Sequence, residues 1–174
     1  WNTDLTVSYG RNSIDFETRN SGNATYGSAS PRTFDSGRLR YDQLTAGLDL
    51  AREYTFGAAV INIAAGSEYR REGFAIGAGQ PESYNRANGA DSRLASGAQG
   101  FVGFQPANEV DVHRSNGSLY LDVEARLWDK LTFGAAARGE SYSDFGETAT
   151  AKLSARYDVA PWLAFRPGWS TVPP

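Results

Sequence analysis

A chain of 174 residues with 40% hydrophobic residues, a net charge of −3 and a mean hydropathy of −0.48 is too polar for a bundle of transmembrane helices. No run nears the ~18–20 consecutive apolar residues of a membrane-crossing helix, but a membrane β-barrel needs none, because only alternate residues meet lipid. Without cysteine there is no disulfide scaffold or thiolate metal site; without a basic block nothing points to nucleic acid; without methionine Trp1 is no translational start, so a processed precursor or an internal segment is expected.

Alternation with period 2 runs through the chain. The first strand carries Leu5, Val7 and Tyr9, then changes parity to Ile14 and Phe16 near Gly10, as a β-bulge would make it do. A long polar loop is predicted over residues 20–41. Leu44, Ala46, Leu48 and Leu50 stripe the second strand, and a short turn follows at 53–58. Ile61, Ile63, Ala65 and Tyr69 stripe the third, opposite Asn62, Glu68 and Arg70. Residues 74–115, rich in Gly, Asn, Ser and Ala, predict a very long loop. Leu119, Leu121, Val123, Ala125 and Leu127 then alternate with Tyr120, Asp122, Glu124 and Arg126. After a tight turn at Trp128-Asp129-Lys130 come Leu131, Phe133, Ala135 and Ala137, and a moderate loop over 143–147. The sixth strand carries Ala149, Ala151, Leu153, Ala155 and Tyr157; a tight Ala160-Pro161-Trp162 turn leads to a seventh at Leu163 and Phe165. Pro167 is out of place there, because proline cannot donate to a ladder.

Alternation alone fits an antiparallel sandwich equally well, since that sheet also has one apolar and one polar face. Three features favour a membrane barrel. The stripes hold much alanine, which fills a sandwich core poorly. Long and short connections alternate, as extracellular loops and periplasmic turns do. Aromatic residues gather at strand ends: Tyr54, Phe56, Trp128, Phe133, Trp162 and Phe165 by the short turns, and Tyr69, Tyr142 and Phe145 at the opposite ends. The expected fold is all-β, an antiparallel up-and-down meander of about seven strands, part of a larger transmembrane β-barrel.

In that reading Asp122, Glu124, Arg126, Arg138, Glu140, Lys152 and Arg156 face a wet lumen. The long loop offers Tyr84, Arg86, Phe101, Phe104 and Arg114, aromatic and cationic groups suited to binding a polar solute. The single histidine, His113, lies two residues from Asp111 and leaves a small outer-membrane hydrolase as an alternative, although no G-x-S-x-G elbow occurs. A soluble β-sandwich binding module is the other alternative. Asp91, Asn108, Glu109 and Asp111 share one loop but lack the spacing of a calcium-binding hand, so no metal and no cofactor is expected.

The run Arg138-Gly139-Glu140-Ser141-Tyr142-Ser143-Asp144-Phe145-Gly146-Glu147-Thr148, followed by Lys152-Leu153-Ser154-Ala155-Arg156-Tyr157, resembles a late barrel segment of TonB-dependent outer-membrane receptors. Glu68-Tyr69-Arg70-Arg71-Glu72 is similar to a family strand entering a long extracellular loop, and Gly97-Ala98-Gln99-Gly100-Phe101 with Gly103-Phe104 is similar to loop sequence of that family. The resemblance covers most of the chain. It implies residues 1–174 as a partial receptor barrel in the outer membrane of a Gram-negative cell, a transport segment and not an enzyme. It also implies partners: outer-membrane lipid, the remainder of the barrel, a plug domain absent from this sequence, the TonB complex acting through that plug, and a scarce solute of siderophore, vitamin or carbohydrate class. The family continues Ser170-Thr171 with Gly-Phe-Arg-Ala-Pro, where this chain reads Val172-Pro173-Pro174. Seven strands are about a third of the ~22 in such transporters, and an open edge in lipid leaves backbone groups unpaired, so a segment of this size is not expected to form a pore alone.

Overall fold

The computed structural model describes residues 1–171. Eight strands follow in order: β1 (Asn2–Arg19), β2 (Thr33–Phe56), β3 (Ala59–Gly77), β4 (Val110–Leu127), β5 (Leu131–Tyr142), β6 (Gly146–Ala160), β7 (Leu163–Phe165) and β8 (Gly168–Ser170). Three short 3-10 helices, Ala24–Ala29, Pro81–Ser83 and Pro106–Asn108, lie in the connections. All strands belong to one sheet in the order β1-β2-β3-β4-β5-β6-β7, with β8 also pairing β6. The chain is an all-β meander in which β1 to β7 pair in sequence order and β8 returns to β6.

The strands are longer than their apolar stripes, and the loops are correspondingly shorter than the sequence predicts. The first long loop is 20–32, not 20–41, and the second is 78–109, not 74–115. Where one face of a sheet is covered by hydrogen-bonded polar groups, hydropathic alternation fades while the ladder of hydrogen bonds continues, as at Ser36, which is buried against Thr18. Polar residues such as Thr33, Asp35 and Arg38 therefore look like loop and are strand. The predicted moderate loop at 143–147 is a three-residue turn, 143–145, closed by Gly146 at φ 97°. Long and short connections thus do not alternate throughout.

Turn chemistry accounts for the other short links. Gly57 takes φ 59°, which a residue without Cβ adopts freely. Trp128 and Asp129 take φ 50° and 56°, two successive left-handed residues of the kind a tight hairpin turn demands. The Trp128 N–H donates to the Ala58 carbonyl at 3.1 Å, joining two turns at one end of the strands. The break between β7 and β8 falls on Arg166 and Pro167: the proline has no N–H to give, yet its carbonyl accepts from the Ala155 N–H at 3.0 Å. The departure at Val172–Pro174 lies outside the described residues.

Two compact units divide the chain: Trp1–Tyr9 with Leu44–Arg71 and Arg114–Pro174, and Gly10–Gln43 with Glu72–His113. In the first unit the register decides which side chains share a face. Leu121 pairs Ala137, which pairs Ala151; Val123, Ala135 and Leu153 form the next row, and Ala125, Phe133 and Ala155 the one after. Trp169 stands opposite Leu153, and Phe165 opposite Tyr157, extending the same face onto β7 and β8. Among the described residues nothing covers it: Leu119 is 67% exposed, Leu121 50% and Leu153 52%. Among the described residues the only buried hydrophobic side chains are Phe34 and Ala98, both in the second unit. A sandwich would have a second layer on those leucines, each of which gains ~1.5–3 kcal/mol on burial. The soluble-sandwich reading is therefore set aside.

On the polar face, Tyr120 of β4 reaches across β3 to Asp49 of β2 and donates its hydroxyl hydrogen to Oδ1 at 2.5 Å. Gly66 makes room for this. A Cβ there would sit 2.4 Å from Tyr120 Cε1, 2.6 Å from Asp49 Oδ1 and 2.8 Å from the Leu48 carbonyl oxygen. Gly66→Ala is expected to destabilise the folded sheet by about 1–3 kcal/mol, the usual cost of overpacking. Gly139→Ala, where a Cβ meets nothing within 4 Å, should be tolerated. Heat-dependent loss of the compact form on gels of the detergent-folded receptor compares the two.

Candidate functional site

The second unit holds the buried polar side chains of Asn23, Thr25, Ser36 and Ser83, and its architecture rests on Asn23. As the N-cap of the 3-10 helix Ala24–Ala29, Asn23 accepts on Oδ1 from the Thr25 N–H at 3.1 Å and from the Thr25 hydroxyl at 2.7 Å. Its Nδ2 donates to the carbonyls of Glu82 at 2.9 Å and Asn85 at 2.8 Å. All four bonds of the amide are made, and they tie the 20–32 connection to the 78–109 connection. The Asn23 N–H adds a fifth bond, to Ser30 Oγ at 2.7 Å.

Other backbone bonds complete the union. Gln80 and Asp35 exchange two: the Gln80 N–H donates to the Asp35 carbonyl at 2.9 Å, and the Asp35 N–H donates to Gln80 Oε1 at 3.0 Å. The Ser83 carbonyl accepts from the N–H groups of Ala98 and Gly103. Buried Ser83 Oγ donates to the Gln80 carbonyl at 2.6 Å, and buried Ser36 Oγ shares a hydrogen with Thr18 Oγ1 at 2.8 Å. The chain passes so close here that two glycines are obligatory. A Cβ on Gly79 would lie 2.5 Å from the Asp35 carbonyl oxygen, and one on Gly103 2.1 Å from Ser83 Oγ. An aromatic trio packs beside this lattice: Phe16 stacks on Phe101 at 5.5 Å, and Phe104 meets both edge-on at 5.6 and 5.8 Å.

The surface of this unit is densely charged. Arg38 pairs with Asp15, Arg19 with Glu17 at 2.7 Å, and Arg93 with Asp91 at 2.6 Å. Side-chain hydrogen bonds from Arg19 and Arg93 hold the Glu17 and Asp91 carboxyls below their ordinary range. The Tyr41 hydroxyl donates to Glu72 at 2.7 Å.

The five residues expected to bind a solute fall into separate settings. Arg86 donates to the carbonyls of Asp91 at 2.7 Å and Leu94 at 2.6 Å, so its fork holds a turn of its own loop. Phe101 and Phe104 belong to the aromatic trio, with Phe101 the more exposed. Tyr84 closes the Pro81–Ser83 helix through its N–H. Arg114 is on β4 and not in the loop, as is His113. His113 Nε2 stands 3.4 Å from Asp111 Oδ1, but the hydroxyls of Ser21, Ser30, Ser36 and Ser83 bond backbone carbonyls or Thr18. The oxygen ligands weighed for calcium are also dispersed. Asp91 binds Arg93, Asn108 Oδ1 accepts from the Gln105 N–H, and Glu109 accepts from the Ala78 N–H at 3.2 Å. Among the described residues no three acids or histidines are grouped to hold a metal.

In the first unit, the seven charged residues expected in the lumen share one face by register. Asp122, Ala136 and Lys152 form one row, Tyr120, Arg138 and Thr150 the next, and Ser118, Glu140 and Thr148 a third. Arg138 bonds Glu140 at 2.8 Å along its strand, and Arg156 bonds Asp158 at 2.7 Å. The buried polar lattice around Asn23, Ser36 and Ser83 was missed by sequence reasoning. Its one legible signal was an Asn two residues before a Thr within a polar loop, the pattern of a capping residue.

A family model described as "TonB dependent receptor-like, beta-barrel" matches residues 1–172. No curated protein and no solved structure matches the chain.

Asn23→Ala is expected to remove the donor to the Glu82 and Asn85 carbonyls, at about 0.5–1.5 kcal/mol for each hydrogen bond lost. Limited proteolysis should then cut within 78–109 far faster than in the parent, while the sheet keeps its strand signal in circular dichroism.

Proposed function

The chain belongs to the TonB-dependent receptor-like β-barrel family, and from that premise we propose that it supplies wall and loops to an outer-membrane receptor that takes up a scarce solute. The solute class consistent with this reading is a siderophore, a vitamin or a carbohydrate. The partners are outer-membrane lipid, the other barrel strands, the plug, and the TonB complex acting through the plug.

One observation carries the membrane placement: the apolar rows of β4, β5 and β6 are continuous across the register, and none of the described residues lies over them. Hydrocarbon is the solvent that makes such a face stable. The length agrees, since β5 has 12 residues and a tilted strand needs ~9–11 to cross. Aromatic side chains mark both ends. Tyr54 stacks on Phe56 at 6.1 Å beside one short turn, and Tyr142 stacks on Phe145 at 4.1 Å at the far end. Trp128 and Trp162, in two further short turns, are 68% and 83% exposed.

The opposite face gives the transport role its chemistry. Charged rows from Ser118 to Arg126 and their partners suit a water-filled lumen occupied by a plug. At the two sides of the sheet, β1 and β7 each have a single neighbour. Unpaired backbone groups in hydrocarbon cost several kcal/mol each, so further strands must pair there for the wall to enter a bilayer. The rigid 20–32 and 78–109 connections would then present a preformed surface to the solute. Phe101 is its exposed aromatic group, and Tyr26, Tyr84 and Phe104 are half-exposed.

A paired substitution in the intact receptor tests the placement. Leu121→Arg should cost ~2–4 kcal/mol on a lipid face near the midplane. Its neighbour Asp122→Ala should stay within about 0.5 kcal/mol, as surface changes do. Urea titration of the receptor folded into lipid vesicles reads both, and equal tolerance of the two changes would falsify the membrane assignment.

A further inference from the structure

Arg52 is a charge on the wrong face. It follows Leu44, Ala46, Leu48 and Leu50 in the even-numbered apolar row of β2, which continues into Tyr54 and Phe56. Two ring contacts confirm its side. Its guanidinium carbon lies 4.7 Å from the centre of the Tyr54 ring and 5.9 Å from that of Trp1, just before β1. The rows around it on this face are Trp1 followed by Thr3, Leu5, Val7 and Tyr9 on β1, and Ala59, Ile61, Ile63 and Ala65 on β3; they contain no acid. Elsewhere in the first unit's strands the arginines at 70, 138 and 156 each have a carboxylate two residues away on their own strand.

We propose that Arg52, with Trp1 and Tyr54, binds the phosphodiester of a glycerophospholipid in the leaflet at the short-turn end of the sheet. This rests on the membrane placement proposed above. The chemistry follows from position. Arg52 is five residues before Gly57, the start of the β2–β3 turn, and its side chain folds back over Tyr54 toward that turn. A long cationic side chain on a lipid-facing surface reaches for the interface in this way. Short turns of such barrels are periplasmic, and the headgroups of that leaflet are phosphodiesters. An arginine fork offers two parallel N–H donors matched to two phosphate oxygens. The ring faces hold the guanidinium by cation–π attraction and leave its edge, where the donors are, open to the headgroup. Trp1 at 58% exposure gives the glycerol and upper acyl carbons an apolar wall.

The test uses the intact receptor in detergent, titrated with phosphatidylglycerol and read by native mass spectrometry. The parent should retain phosphatidylglycerol over diacylglycerol of the same chains. Arg52→Ala and Arg52→Gln should each lower retention about fivefold, the ratio that one basic residue at an anionic membrane surface is worth. Arg52→Lys should fall between, having charge without the fork. Inorganic phosphate at the same concentration should not compete, because the acyl chains hold the headgroup in place. Retention unchanged in both neutral variants, or diacylglycerol held as well as phosphatidylglycerol, overturns the site. Competition by inorganic phosphate overturns the lipid as its occupant. A separate arm reports on the membrane placement: tryptophan fluorescence in vesicles of brominated-chain lipid should be quenched in parent and variants alike. Lack of quenching in all of them would count against that placement, whereas quenching with unchanged lipid retention counts against the Arg52 site alone.

Discussion

A strand in hydrocarbon has no water to satisfy its backbone, so every N–H and C=O must find a neighbouring strand. The rest of this structure follows from that constraint. It explains why β4, β5 and β6 keep an unbroken register from Asn116 opposite Tyr142 to Leu127 opposite Leu131, and onward to β6. It explains why the links at the turn end are so tight, since a longer link would place free backbone at the interface. The register shifts between Asp158 and Ala160, where β6 meets β7, and beyond it Pro167, which cannot donate, still has its carbonyl bonded to Ala155.

Once the ladder is obligatory, side chains are divided between two solvents by parity alone. Residues of one parity on β4 to β6 are small or aliphatic because lipid needs no close packing against them, which is why alanine is as serviceable as leucine. Residues of the other parity carry charges and contact one another along and across strands, as Arg138 does with Glu140 and Ser118. Tyr120 and Asp49 show the same face being braced: a hydrogen bond spans an intervening strand because that strand has glycine beneath the ring. Arg52 departs from the division on β2, and an interface rich in phosphate is the environment in which such a departure is stable.

The second unit obeys a different rule. It holds its shape by satisfied polar groups, with Phe34 and Ala98 as its buried hydrophobic side chains among the described residues. Asn23, Ser36 and Ser83 are each buried with their hydrogen-bonding capacity used. A loop built this way is specific in shape while its surface stays polar, which suits a receptor that meets its solute in water. Arg86 illustrates the point: it donates to the carbonyls of Asp91 and Leu94 in its own loop and so helps to shape that surface.

The amino-acid sequence determined the period, the parity and the ends. Alternation at 119–157 reads directly as strand, aromatic clusters mark the boundaries, and the run through Tyr142, Ser143, Asp144 and Phe145 marks the family. These are local properties, set by each residue and its near neighbours. Tertiary structure alone decided three further things. One was how far strands such as Thr33–Phe56 extend beyond their apolar stripes, because a ladder whose covered face includes polar groups such as Ser36 leaves a weak hydropathy signal. Another was that none of the described residues lies over the leucines, since one sequence cannot say whether a second layer exists. The last was that Asn23 reaches Glu82 and Asn85, some sixty residues away, and that Arg52 lies between Tyr54 and Trp1. Contacts between distant residues depend on register, and register is fixed only when all the strands are paired.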